Sequence, residues 1–295
     1  MKNSKIGGQA VIEGVMMKNS NKYAVAVRKP DNEIAVEVFD VKNPHESLSR
    51  IPLVRGVMAF VDSLSIGMKS LTFSSSFFEE EEKNPKNEKK EKISNFFVIA
   101  VSILIALGIF MAIPYLVSRF MGKWIESNLL LSIVEGLIRL VFFFAYIVLI
   151  SRLEDIRRVF AYHGAEHKCI NCIEHGMELT VENVRKSSRF HKRCGTSFLF
   201  IVMIISMIFY CFINVESQYL QFLIRLLLIP VIAGVSYEFL RFAGNADTKL
   251  IEVLSKPGLW LQHLTTKEPD DKMIEVGIKS VEAVFDWRSF VNDLS

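Results

Sequence analysis

Of the 295 residues 51% are apolar, 23 are phenylalanine, and the formal net charge is +3. The apolar excess is concentrated in a few long runs, which excludes an ordinary soluble domain, and four cysteines are too few for a disulfide framework. No basic run is interleaved with aromatic residues, so the small positive charge excludes nucleic acid as a partner and points instead to a membrane surface.

Residues 1–50 read as a small β-rich cytoplasmic unit. The runs KYAVAVRKP and EIAVEVFDV alternate apolar and polar positions around Pro30, Asp31 and Asn32, a hairpin signal. Ahead of them, GGQAVIEGVMMK reads as one short apolar strand punctuated by Gly7, Gly8 and Gly14, which implies positive φ or close backbone approach. The first 20 residues have no apolar core or cleavage site of a signal peptide.

Residues 51–78 centre on a predicted helix over 52–72. Its Arg55, Asp62 and Lys69 are seven apart and fall on nearly one line of an apolar surface. Those charges favour a helix that lies on the membrane or re-enters it over one that spans it. A solvated linker rich in Glu and Lys follows at 79–93.

Four runs, 94–117, 130–150, 196–215 and 219–240, each approach the roughly 20 residues that cross a bilayer core. The first and third carry no formal charge; the second holds Glu135 and Arg139, the fourth Arg225 and Glu238. Charges at that depth are expected to pair across the spans. The fold class predicted is an α-helical integral membrane protein. It has four transmembrane helices in two pairs, within 94–151 and 196–241, a β-rich N-terminal unit and cytoplasmic helical segments.

Lysines and arginines crowd the segment before the first span and the 152–195 connection, whereas only Arg119 and Lys123 lie between spans one and two. The positive-inside rule then places both termini and the 152–195 segment in the cytoplasm. In 242–295, a helix leaves the last span, a turn is expected at Pro257–Gly258, and an amphipathic helix follows over 269–285.

The chemistry collects in the 152–195 segment. The stretch YHGAEHKCINC places His163 and His167 four apart on one helical face, with Glu166 beside the second histidine. This H-x-x-E-H order is the inverted form of a zinc-protease helix, two imidazoles holding the metal and the carboxylate polarising water. FHKRCGTS adds His191 and Cys194. The expected ligands of a divalent metal, zinc by its donor set, are therefore His163, His167, His191 and Cys194, with Glu166 as general base. Cys169 and Cys172 have knuckle spacing but point away if the helix continues through them. Glu13, Glu238 and Arg241 are further groups that could reach the site as ligands or supports.

GGQAVIEGVMMK, PLVRGV, YHGAEHK, HKRCGTSFLF, GVSYEFLR and PGLWLQHLTTKEPDD, in this order along nearly the whole chain, resemble the DUF1385 (YqhQ-like) family of bacterial membrane proteins. The resemblance implies a predicted metal-dependent enzyme of the bacterial cytoplasmic membrane. The family's usual H-P-R-C-G-T stands here as His191-Lys192-Arg193-Cys194-Gly195-Thr196, a lysine replacing proline.

Two functions are weighed ahead of transport, which four spans without an internal repeat suit poorly. One is a membrane hydrolase acting at the cytoplasmic face on a lipid-linked or membrane-protein substrate. The other is a non-catalytic scaffold whose metal or hydrogen-bonded knot fixes a docking face near Trp260, Leu264 and Trp287. Expected partners are membrane lipids, with another membrane-protein complex or a second copy of the chain.

Overall fold

The structure is a computed structural model that describes residues 3–41, 51–78, 88–213, 215, 217–245 and 249–293. The end of the expected β-rich unit, 42–50, and most of the charged linker, 79–87, lie outside the described residues. The chain divides into two compact units: Met1–Phe78 with Val148–Ile201 and Ala233–Ser295, and Glu79–Ile147 with Val202–Ile232. Among the described residues the fold is mostly helical, with an N-terminal antiparallel sheet.

In the first unit, β1 (Gly7–Val11), β2 (Gly14–Asn19), β3 (Lys22–Arg28) and β4 (Ile34–Asp40) form a four-stranded sheet in sequential order. The β3–β4 hairpin closes around Pro30–Asn32 as its alternation predicts. GGQAVIEGVMMK is not one strand but two: it turns at Ile12–Glu13, pairing Val11 with Gly14. Glu13 takes φ 50°, which gave this turn no glycine signature. None of Gly7, Gly8 and Gly14 has positive φ; Gly8 and Gly14 serve close approach instead, and Gly7 faces open space.

Both faces of β2 and β3 are covered, so these two strands read as nearly continuous apolar runs, whereas edge strand β4 stays largely exposed. Val15, Met17 and Ala26 face α5 (Glu154–Glu174) and α11 (Asp271–Val284), while Met16, Val25 and Val27 share a second cluster with Ile66 of α1 (Val54–Ser75). Small residues permit the close approach of α11, whose Ser280 hydroxyl donates to the Ala24 carbonyl at 3.2 Å. A Cβ on Gly277 would come within 2.9 Å of the Cys169 Sγ, so this contact between α11 and α5 requires glycine. Asp270 caps α11 by accepting from the Met273 N–H at 2.8 Å, and the acidic first turn of α5, Glu154 and Asp155, suits its dipole.

α6 (Val181–Lys186) precedes the loop that carries His191, and α12 (Trp287–Asn292) ends the unit. Helix α10 runs from Lys249 to Thr265 straight through Pro257, so the expected turn at Pro257–Gly258 is absent. Two residues just beyond the proline, Leu261 and Gln262, are fully buried, and that anchoring outweighs the missing N–H.

The long apolar helices lie along the rest of the chain. α2 (Glu88–Leu107), a five-residue π turn (Gly108–Ala112) and α3 (Ile113–Met121) form one stretch, apolar over Phe97–Met121. The π turn sits just before Pro114, which lacks the N–H that a regular helix would offer to the carbonyl four residues back. α4 (Asn128–Ile150) is the second such helix. α8 (Gln218–Leu227) and α9 (Ile229–Asn245) bend by 41° at Leu228, next to Pro230. α7 (Gly195–Cys211) is apolar but only 17 residues long, about 25 Å at the helical rise. Among the described residues two helices are long and apolar enough to cross a membrane, or three if the bent pair counts as one, rather than the four expected.

The charges in these helices pair across the apolar runs as expected at Glu135 and Arg225, whereas Glu238 pairs outside them. Glu135 bonds Arg139 one turn along α4 and also Arg225 of α8, while Glu238 pairs with Arg55 of α1 at 2.6 Å.

Candidate metal centre

Helix α5 carries His163, Glu166 and His167 on a largely buried face, and it continues unbroken through Cys169 and Cys172. The two imidazole rings stand one turn apart, 4.4 Å between centroids. Each has its Nδ1 against a backbone carbonyl: His163 on Thr265 at 2.9 Å and His167 on Arg189 at 2.6 Å. A carbonyl oxygen only accepts, so both Nδ1 atoms carry the proton and both Nε2 lone pairs are free. This is the arrangement by which proteins fix the tautomer and orientation of metal-binding histidines.

Cys194, at the start of α7, faces the same point, its Sγ 3.2 Å from the His163 Nε2. The Thr196 N–H donates to that sulfur at 3.4 Å and its hydroxyl lies at 3.1 Å. His163, His167 and Cys194 offer one ligand atom each, all within 4.8 Å of one another. A tetrahedral site with nitrogen at about 2.0–2.1 Å and sulfur at about 2.3 Å would separate N and S by roughly 3.5 Å. The donor set and its spacing therefore fit a divalent metal.

Glu166 is the nearest carboxylate, its Oε2 3.8 Å from the His163 Nε2 and 4.0 Å from the His167 Nε2. Burial pushes its carboxyl up to about 7, against the opposing pull of His163 and of a hydrogen bond from the Gly8 backbone. Strand β1 comes so close that a Cβ on Gly8 would lie 2.6 Å from the Glu166 Cγ. The paired glycines of GGQAV thus contribute one position, Gly8, to seating this carboxylate.

His191 lies beside the cluster and turns the other way. Its ring centroid is 5.7 Å from that of His167, and its Nε2 faces Glu174 at 3.5 Å. Gln262 clamps its backbone, accepting from the His191 N–H at 2.9 Å and donating to its carbonyl at 2.8 Å. Glu174 also accepts from the Ser4 N–H and hydroxyl, at 2.8 and 2.7 Å, and from Arg193. Burial alone would raise the Glu174 carboxyl, but His191, Ser4 and Arg193 outweigh it and hold it at about 2. This knot pins Ser4 and the 187–194 loop to the end of α5.

The remaining sequence candidates lie elsewhere. Cys169 is fully buried against Gly277, and burial raises its thiol far above the usual range. Cys172, also pushed up by burial, to about 11, faces the Glu178 carbonyl at 3.4 Å. Both are core thiols on a continuous helix rather than a metal knuckle. Glu13 is bidentate with Arg158 at 2.5 and 2.6 Å and accepts from the Tyr162 hydroxyl at 3.2 Å, lining a cleft of about 760 Å³. Glu238 is taken by Arg55, and Arg241 is exposed. Trp260 and Trp287 do not share a face as expected: Trp260 is 58% exposed, whereas Trp287 is in the core at 5%.

Sequence reasoning missed Glu174, Ser4, Gln262 and the carbonyls of Thr265 and Arg189. Gln262 and Thr265 do fall within the PGLWLQHLTTKEPDD motif, which offered a pointer. A backbone carbonyl leaves no residue signature at all.

The DUF1385 family, described as a protein of unknown function, matches residues 51–287. Uncharacterized protein YqhQ of Bacillus subtilis (strain 168) is 36% identical over 288 residues, covering 93% of this chain and 90% of that protein. No solved structure matches. With the match running through every helix that carries the cluster, this chain belongs to the DUF1385 family.

Proposed function

We propose that the protein is a metal-dependent enzyme of the cytoplasmic membrane, a hydrolase working at the cytoplasmic face, with zinc held by His163, His167 and Cys194. The observation that carries this reading is the pair of Nδ1–carbonyl bonds, which leave two Nε2 lone pairs and one sulfur converging on a single point. Three protein ligands are the complement of a catalytic zinc, because the fourth position stays available. A bound divalent cation would act there as a Lewis acid toward a water or a substrate oxygen. Glu166 would act as the general base, accepting a proton at its Oε2, and the close approach of Gly8 limits where the carboxylate stands. His191, held by Gln262 and Glu174, supports the loop rather than the ion. In this reading α7 is a fourth crossing tilted little from the membrane normal, both termini are cytoplasmic, and lipids contact the exposed apolar helices.

A second reading is favoured by burial. Glu166 is 5% exposed, His167 1% and Cys194 4%, which suits a closed site with Glu166 as fourth ligand, in a scaffold for another membrane protein or a second copy. Cobalt substitution separates the two. With an exchangeable fourth position, a small hydroxamate shifts the visible spectrum of the cobalt protein, and Glu166→Gln retains the metal. A closed site gives a spectrum indifferent to hydroxamate, and Glu166→Gln loses cobalt, which would overturn the hydrolase.

A further inference from the structure

The membrane-candidate unit holds a second polar cluster that the metal reading does not use. Glu135 of α4 accepts from Arg139 Nη2 at 2.9 Å and from Arg225 of α8, and the Ser118 hydroxyl of α3 lies at 3.5 Å. Arg139 donates its other arm to Ser206 at 2.9 Å. Glu135, Arg139 and Arg225 are 2%, 7% and 2% exposed, so the group is dry. A small void of about 10 Å³ adjoins it, lined by Arg119, Glu135 and Arg225 with the polar side chains of Ser118, Ser132 and Gln221.

The charges here do not balance. Two buried arginines, Arg139 and Arg225, share the one carboxylate of Glu135, Arg119 lines the same void, and no second carboxylate pairs with them among the described residues. The guanidinium planes lie over tyrosine rings instead: Arg225 is 4.8 Å from the centroids of both Tyr115 and Tyr210, and Arg139 is 4.9 Å from Tyr210. Those contacts soften the excess but do not neutralise it. The Nε–H groups of Arg139 and Arg225 are both buried without a hydrogen-bond partner. Buried guanidinium donors with nothing to donate to, beside an uncompensated positive charge, are costly in an apolar surround. A water would satisfy a donor and leave the charge; an anion satisfies both.

We propose that Arg119 and Arg225, which line the void beside the Glu135–Arg139 pair, bind one small monovalent anionic group. The void admits about one water-sized atom. The ligand is therefore a dissolved monatomic anion or a single anionic oxygen of a lipid phosphate reaching in. Both sources are open by position, since Arg119 is in the last turn of α3 and Glu135 lies two turns into α4, about 10 Å along the helix.

The full chain, purified in neutral detergent with gluconate as the only anion, is titrated with chloride or bromide at fixed ionic strength while its thermal unfolding midpoint is followed. Parallel samples sit in phosphatidylcholine nanodiscs with and without phosphatidylglycerol, in gluconate. A saturable rise with halide identifies a dissolved ion. A rise with phosphatidylglycerol that halide does not extend identifies the lipid phosphate. Arg119→Gln, a half-buried and foldable change, is expected to weaken either effect at least tenfold, and Arg225→Gln to abolish it. No rise with halide or anionic lipid in the native chain overturns the proposal, and so does a rise that Arg119→Gln leaves intact.

Discussion

Single atoms decide what the centre can be. His163 and His167 can offer ligand atoms because two carbonyls hold their protons on Nδ1, and neither carbonyl is visible as a residue type. The H-x-x-E-H spacing on α5 was legible, because i to i+4 places two rings on one face of any helix. That Cys194 joins this pair while His191 turns to Glu174 depends on the path of the 187–194 loop, which a single sequence does not encode in any periodicity.

Two predictions belong to this scale. Gly8→Val drives a side chain into Glu166 and is expected to destabilise by about 1–3 kcal/mol by overpacking, read as a lowered unfolding midpoint. For Glu174, the folded carboxyl at about 2 lies below its ordinary value of 4.5, so the folded state favours the ionised form. Its contribution, about 3 kcal/mol, is fully present above pH 4.5 and is lost as pH falls towards 2. Stability measured across pH 2–6 should show that loss, and Glu174→Gln should flatten it; equal slopes in the two proteins would contradict the assignment.

At the scale of elements, the β3–β4 hairpin and α11 followed directly from their patterns, period two and period 3.6 with an Asp cap. The β1–β2 hairpin did not, because its turn uses Glu13 at positive φ where the usual signal is Gly or Asn. Pro257 misled in the opposite direction: burial of Leu261 and Gln262 keeps α10 helical through a residue that usually ends helices. Helix α11 is the element that joins sheet to α5, with Met273, Ile274, Val276, Ile278 and Val281 all buried. Ile274 is fully buried, and Ile274→Ala is expected to cost about 2–5 kcal/mol from lost transfer energy and the cavity left. Chemical denaturation in detergent would measure it, and a cost under about 1 kcal/mol would mean that α11 is not a core element.

Across the whole molecule, the composition pointed to a membrane and the long apolar helices agree, though fewer pass on length than the hydrophobic runs suggested. The run at 196–215 ends as a 17-residue helix, and the run at 219–240 breaks at Leu228 beside Pro230; both are boundary effects that hydropathy averages over. The family relation adds a close relative along almost the full chain, and the chemistry must be read from the cluster itself. That cluster brings together α5, the start of α7 and the end of α10 through candidate ligands and their carbonyl supports, so an ion bound there would stabilise the fold. The decisive measurement is the metal content of the detergent-purified full chain beside a His163→Ala/His167→Ala variant, by elemental mass spectrometry. We expect about one divalent ion, zinc, per native chain and almost none in the variant. Near-zero content in both, or equal content in both, would contradict the metal centre.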